Sequence, residues 1–204
     1  MAGCKICYLV ILYYVATCYI NMDVYNFWFR GKRIRDWFGP GARRYDKTIR
    51  SRFSSVLKSA SQGRLRSWSH TRKGFVALVI VLDQFTRQIY RGSQKAFSND
   101  KRALNLVRSL PQATLRKMPP REQMFIMLPY QHSESINVQQ QGLRRIKDLV
   151  HHNPKSYYLR LTLKHHLGHM KVIQRFGRFP KRVPRSERTA EEQSYVRSSS
   201  AVAY

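Results

Sequence analysis

The run "GFVALVIVLDQF", Gly74 to Phe85, constrains the fold of this 204-residue chain more than any other stretch. Phe75 to Leu82 is apolar on every side, so a helix there has no polar face to offer water and belongs in the middle of a domain. The run then leads into charge. Asp83, Arg87 and Arg91 follow at spacings of four, on one helical stripe, with Gln84 three before Arg87. A charge entering an apolar interior needs a partner. Two readings stay open: a buried network that fixes helix register, or one wall of a polar site.

The flanking segments are helical too. After the breaker Gly39-Pro40-Gly41, "YDKTIRSRFSSVLKSASQG" sets Ile49, Phe53, Val56, Leu57 and Ala60 on one face. Asp46 can cap its start and Gly63 ends it. "DKRALNLVRSL" is a shorter helix stopped by Pro111; "REQMFIMLP" opens at Pro119-Pro120 and ends before Pro129. Ile136, Leu143, Ile146, Leu149 and Val150 mark a longer amphipathic helix closed by Asn153-Pro154. Tyr157 to Phe176 is the last long helix, with Leu159, Leu163, Leu167, Met170 and Ile173 as its packing face. Thr189 and Glu192 fit the capping box of a short final helix. No strand alternation of useful length occurs. The expected class is all-α, built from consecutive antiparallel helical hairpins.

Residues 1–21 form a hydrophobic N-terminal segment, 22–196 a single helical domain and 197–204 a loose tail. Ile6 to Ile20 has Thr17 as its one residue outside the hydrophobic set. As a helix it reaches ~22 Å, short of the ~30 Å hydrocarbon core. It reads as a membrane anchor or signal, as an extension upstream of a fold beginning at Met22, or as an extra packed helix. The location is cytoplasmic if translation starts at Met22, and membrane-anchored through 6–20 otherwise.

Thirty-eight Lys and Arg against eleven Asp and Glu leave a net charge of +27. Residues 30–73 alone carry fourteen cations against Asp36 and Asp46. Such a field attracts nucleic acid or an anionic membrane without sequence preference. Cys4, Cys7 and Cys18 leave the body of the chain without thiols. The C-x-x-C lacks a second pair, and His165 and His169 lack the glutamate of H-E-x-x-H, so neither a metal nor a cofactor is expected.

"LPYQHSESINVQQ" supplies His132, Ser133, Glu134 and Gln139. Adjacent residues on a helix do not face each other, which argues against a Ser133–His132 catalytic pair. A capping Ser133 beside a buried His132–Glu134 pair fits better. His151, His152 and His166 read as solvated. "RFGRFPKR", Arg175 to Arg182, ends the last long helix: Gly177 suits the left-handed position and Pro180 prevents continuation. Its phenyl rings can return to the core while Arg175, Arg178 and Arg182 reach Asp83, Asp100 or Glu134.

These stretches carry a resemblance. "FWF" at 27–29, "LVIVLDQFTRQIYRG" at 78–92, "AFSND" at 96–100, "FIMLPYQHSES" at 125–135, "HMKVIQRFGRFPKR" at 169–182 and "TAEE" at 189–192 keep one order. That order is similar to the bacterial family called domain of unknown function 924, over about 24–196. The resemblance implies a helical domain similar to tetratricopeptide-like folds and no established activity. Its polar motif falls on Asp83, Gln84, Arg87, Arg91, Asp100, His132, Ser133, Glu134, Gln139, His169, Arg175, Arg178 and Arg182. Thr86 stands where the family pattern has proline, Val183 where it has asparagine, and "PRSER" replaces a longer turn.

Three functions follow as expectations. The polar motif residues take an acidic ligand, a peptide carboxylate or a phosphorylated small molecule, in a binding module. Alternatively, His132 or Glu134 works as an acid/base in an enzyme. Or the basic surface of 30–73 holds nucleic acid or anionic membrane while the motif is structural.

Overall fold

A computed structural model describes residues 19–38 and 40–198, and every regular element among them is helical. The readings made on residues 1–18 and on the tail from 199 lie outside the described residues. Among those described, no helix is long and apolar enough to cross a membrane. Two compact units divide between Asn99 and Asp100.

The first unit contains the helical residues 19–29 (α1), α2 (Ile34–Trp37), α3 (Asp46–Ser61), α4 (Arg72–Ile80) and α5 (Thr86–Ile89). A π-turn, Val81–Phe85, joins α4 to α5. The apolar run thus becomes one rod in which every residue from Gly74 to Ile89 is buried. Against the π-turn and α5 packs α3, burying Ile49, Phe53, Leu57 and Ala60 at helical spacing. Phe53 stacks on Phe85 with ring centroids 5.0 Å apart; Trp28 meets Phe85 edge-on at 5.6 Å. The Trp37 indole donates to the Trp28 carbonyl at 2.8 Å, which satisfies its polar atom inside this core. Gly63 reverses the chain after α3 with φ 75°. Asp46 does not cap α3. Tyr45 occupies that position, and the Asp46 carboxylate is held by Arg91 at 2.6 and 2.9 Å.

The second unit contains α6 (Asp100–Arg108), α7 (Gln112–Arg116), α8 (Pro120–Gln131), α9 (Ile136–His152), α10 (Tyr157–Phe176) and α11 (Ala190–Arg197). Helices α8, α9 and α10 pack on one another, with α6 against α8 and α7 against α9. Instead of ending before Pro129, α8 runs through it to Gln131. Proline there removes one N–H near the end of a helix whose residues from Glu122 onward are all buried, and packing outweighs that loss.

The buried face of α10 is Leu159, Thr162, His166, His169, Val172 and Ile173, while Leu163, Leu167 and Met170 are half-buried. The helix is turned from its expected phase, and His166 finds a hydrogen-bond partner on α9 inside. His166, expected in solvent, is fully buried with Nε2 2.7 Å from the Gln139 carbonyl. Gly142 of α9 makes room for it. A Cβ there would lie 2.5 Å from His166 Cε1 and 2.6 Å from Tyr130 Cβ. Gly142→Ala is expected to destabilise the protein by about 1–3 kcal/mol through overpacking, read as a lower urea midpoint at unchanged m-value.

Candidate functional site

In the first unit the motif residues close on each other. Asp83 is fully buried; its carboxylate accepts from Gln84 Nε2 at 2.5 Å and faces Arg87 NH1 at 3.2 Å. The same guanidinium donates to the Asp83 carbonyl at 3.0 Å and lies over the Phe97 ring. The π-turn widens the helix at this point, and the Thr86 hydroxyl donates to the Leu82 carbonyl at 2.7 Å. Asn99 Nδ2 then donates to Thr86 Oγ1 at 3.1 Å and to Ser61 Oγ at 2.9 Å. Arg91 does not join this network. It is exposed and pairs with Asp46.

In the second unit "RFGRFPKR" works as a lock. Gly177 caps α10 at φ 69° with its N–H on the Ile173 carbonyl at 2.9 Å, and Phe179 is fully buried beyond it. Arg182 NH1 faces Asp100 at 3.1 Å, its NH2 donates to the His132 carbonyl at 2.9 Å, and its guanidinium lies 4.6 Å from the Phe179 ring centroid. Both ionic side chains are largely covered, Arg182 at 11% exposed and Asp100 at 19%. Glu134 is exposed and pairs with the turn's backbone rather than with His132: it accepts from the Phe179 N–H at 2.8 Å. Ser133 caps no helix; its hydroxyl accepts from the Ser135 N–H at 3.2 Å.

Arg178 and Arg175 find other partners than those expected. Arg178 grips Glu192 through Nε at 2.7 Å and NH2 at 2.9 Å, and Arg175 holds Glu191 at 2.6 Å. The Glu192 carboxyl, held by Arg178 and the Thr189 N–H, sits at about 2. Thr189 and Glu192 also complete the capping box of α11. Asp83, Asp100 and Glu134 are the acids expected for these arginines; Glu192 lies fourteen residues from Arg178 across a proline turn, beyond the reach of helical spacing. The capping box placed it in a helix's first turn and gave no sign that it also faced an arginine.

His132 and His169 meet with ring centroids 6.0 Å apart, and Phe179 lies edge-on to His169 at 5.7 Å. They are 7% and 5% exposed. His169 Nδ1 lies 2.8 Å from the His165 carbonyl and donates to it. Burial, with His132 beside it, pushes the His169 pKa down to about 3. At neutral pH His169 is therefore an uncharged imidazole and a weak base. Gln139, fully buried, donates to the carbonyls of Gln131 and Ser133 at 2.7 and 2.9 Å and so closes the end of α8. Among the described residues no three His, Cys, Asp or Glu side chains gather to hold a metal.

The family model described as "Bacterial protein of unknown function (DUF924)" matches residues 24–200. The chain belongs to this family. A solved structure similar to it is titled "Structure of Protein of Unknown Function ATU0120 from Agrobacterium tumefaciens". The two share 27% identity at a TM-score of 0.76, over 89% of this chain and 98% of that one. Among curated proteins none matches.

Of the family's motif residues, Asp83, Gln84 and Arg87 bond to one another in the first unit, and Arg182 bonds to Asp100 and the His132 carbonyl in the second. Arg91, Arg175 and Arg178 pair with acids outside the motif. The unbalanced charge lies outside the motif. All four acids among residues 19–99 are tied to arginines of the same unit: Asp23 to Arg52, Asp36 to Arg44, Asp46 to Arg91 and Asp83 to Arg87. Against those four stand seventeen Lys and Arg. Arg33, Arg35, Arg43, Lys47, Lys58, Arg64 and Arg66 are exposed. Lys47 and Lys58 lie on the solvent side of α3 with Ser51, Ser54 and Ser55 between them. A surface cleft of about 430 Å³ is lined by Arg35, Phe38, Gly41 and Arg44. Gly41 is required where the cleft's walls approach, since a Cβ there would fall 2.4 Å from the Arg35 carbonyl oxygen.

Proposed function

We propose that this protein is a nucleic-acid-binding helical domain that engages phosphates through its basic surface, with the family's polar motifs holding the fold. The observation that carries this reading is the pairing of every acid in residues 19–99 while most cations there face solvent. Ion pairs made inside the unit have used up its carboxylates, so the remaining field is positive and attracts polyphosphates from a distance. Arginine supplies twenty-five of the thirty-eight cations, and its planar fork suits phosphate oxygens better than an ammonium does. The alternative of a small acidic ligand in the motif residues has less to recommend it. Arg87, Arg175, Arg178 and Arg182 already hold carboxylates of the chain itself.

Fluorescence anisotropy with a labelled 20-mer, titrated from 50 to 500 mM salt, tests the proposal. Neutralising Z phosphates gives a log–log slope of about −0.9Z on duplex and about −0.7Z on a single strand. A slope of about −3 or steeper is expected. Binding that is absent at the lowest salt, or flat across the range, contradicts it. Vesicles of phosphatidylserine run in parallel, and tighter binding to them than to the oligonucleotide would reassign the surface to membranes.

A further inference from the structure

The turn between α9 and α10 carries flat rings on a cationic ground. His151 and His152 end α9, both exposed, with ring centroids 5.5 Å apart. Five residues after His152, Tyr157 opens α10 at 58% exposed, beside a half-buried Tyr158 at 6.0 Å. A large ring left in water at the start of a helix buries little of its area in this chain. Lys155 precedes Tyr157 by two residues, and Arg160 and Lys164 follow at three and seven on the same face of α10, all exposed. Arg160 NH1 donates to the Pro154 carbonyl at 2.8 Å, which holds its guanidinium beside the turn. The nearby acid, Asp148, is occupied by Arg116 and Gln112 and by His152 at 3.7 Å.

We propose that the α9–α10 turn is a stacking platform for unpaired bases of a single-stranded nucleic acid, with Tyr157 as the ring that receives a base and Lys155 and Arg160 as flanking phosphate contacts. This rests on the nucleic-acid reading above and names the strand form it prefers. Single-strand binders combine a cationic track with exposed aromatic faces, because every base has a face to stack and phosphates follow at each step. A duplex keeps its base faces covered and cannot use the tyrosine. The charge supplies attraction, and the ring supplies the preference for unpaired bases.

The test uses the full chain and its Tyr157→Ala and Tyr157→Phe variants. The probes are a labelled oligo(U) 20-mer, a duplex of the same length and inorganic polyphosphate as competitor. Tyr157→Ala is expected to weaken oligo(U) binding roughly five- to tenfold, as the loss of one stacked base predicts. Polyphosphate affinity stays unchanged and Tyr157→Phe retains wild-type binding. Equal oligo(U) affinity in wild type and Tyr157→Ala overturns the platform while leaving polyphosphate binding, and the parent reading, in place. Equal losses on oligo(U) and duplex overturn it as well. If the wild type binds neither polyphosphate nor oligonucleotide at 50 mM salt, the parent reading fails and the platform with it.

Discussion

Between pH 6.5 and pH 4.5 the protein is expected to lose stability steadily, at up to roughly 1.4 kcal/mol per pH unit, because of His169. In the unfolded chain His169 takes up a proton near 6.5; in the fold it does so only at about 3. The unfolded state therefore binds more protons throughout that interval, and stability rises with pH across it. The contribution is complete above 6.5 and falls away as the pH drops toward 3. The groups that face the ring act in the same direction: His132 and His165 resist a further positive charge, and His166 is itself held below its usual range by burial. Carboxylates add their share lower down. Asp148 and Glu192 both sit at about 2, so what they contribute is lost between the ordinary carboxyl range and pH 2. Urea denaturation at half-unit steps from pH 7.5 to 4.5 measures the slope. In His169→Asn, whose amide can still donate to the His165 carbonyl, the slope in this window is expected to flatten. An unchanged slope would mean that His169 is not the titrating group.

Arg182→Ala is expected to cost about 3 kcal/mol, in the range for breaking a mostly buried ion pair by removing one partner. The change removes the Arg182 partner of Asp100, takes a donor from the His132 carbonyl and uncovers one side of Phe179. Calorimetry would read this as a melting point lower by roughly 6–12 °C. Arg182→Lys keeps the charge but loses the fork that reaches two acceptors, and falls between. Arg175→Ala is the control. Its pair with Glu191 is more than half exposed on both sides, and such pairs contribute about 0–1 kcal/mol. Equal losses in Arg182→Ala and Arg175→Ala would refute the lock.

Much of this arrangement was legible in residue order. Periodicity and breakers give α10 its bounds, Gly177 its left-handed cap and Thr189–Glu192 their capping box, because each depends on neighbours within one or two turns. The buried rod was legible because eight apolar residues in succession leave a helix no surface to expose. Other features depend on where distant segments meet. The phase of α10 places His166 on the Gln139 carbonyl of α9, and no spacing within α10 reveals that partner. Arg91 left the Asp83 stripe because Asp46, forty-five residues earlier, lies beside it. The π-turn shifts the helical register just after Ile80, so a stripe drawn with 3.6 residues per turn misplaces whatever follows. The pairing of the last arginines was half legible. Arg182 found Asp100, one of its three expected acids, while Arg175 and Arg178 took glutamates read only as parts of a helix start.

The central claim separates two sets of cations: those inside the polar motifs hold the fold, and those on the outer surface hold the ligand. Salt titrations of oligonucleotide binding by wild type, Arg182→Ala and a Lys47→Ala/Lys58→Ala/Arg64→Ala/Arg66→Ala variant, all well below their melting points, test it most directly. The quadruple variant is predicted to have a shallower slope, by roughly one for each cation that touched a phosphate, with an unchanged melting point. Arg182→Ala is predicted to melt early yet keep the wild-type slope. A wild-type slope in the quadruple variant, together with lost binding in Arg182→Ala, would contradict the account.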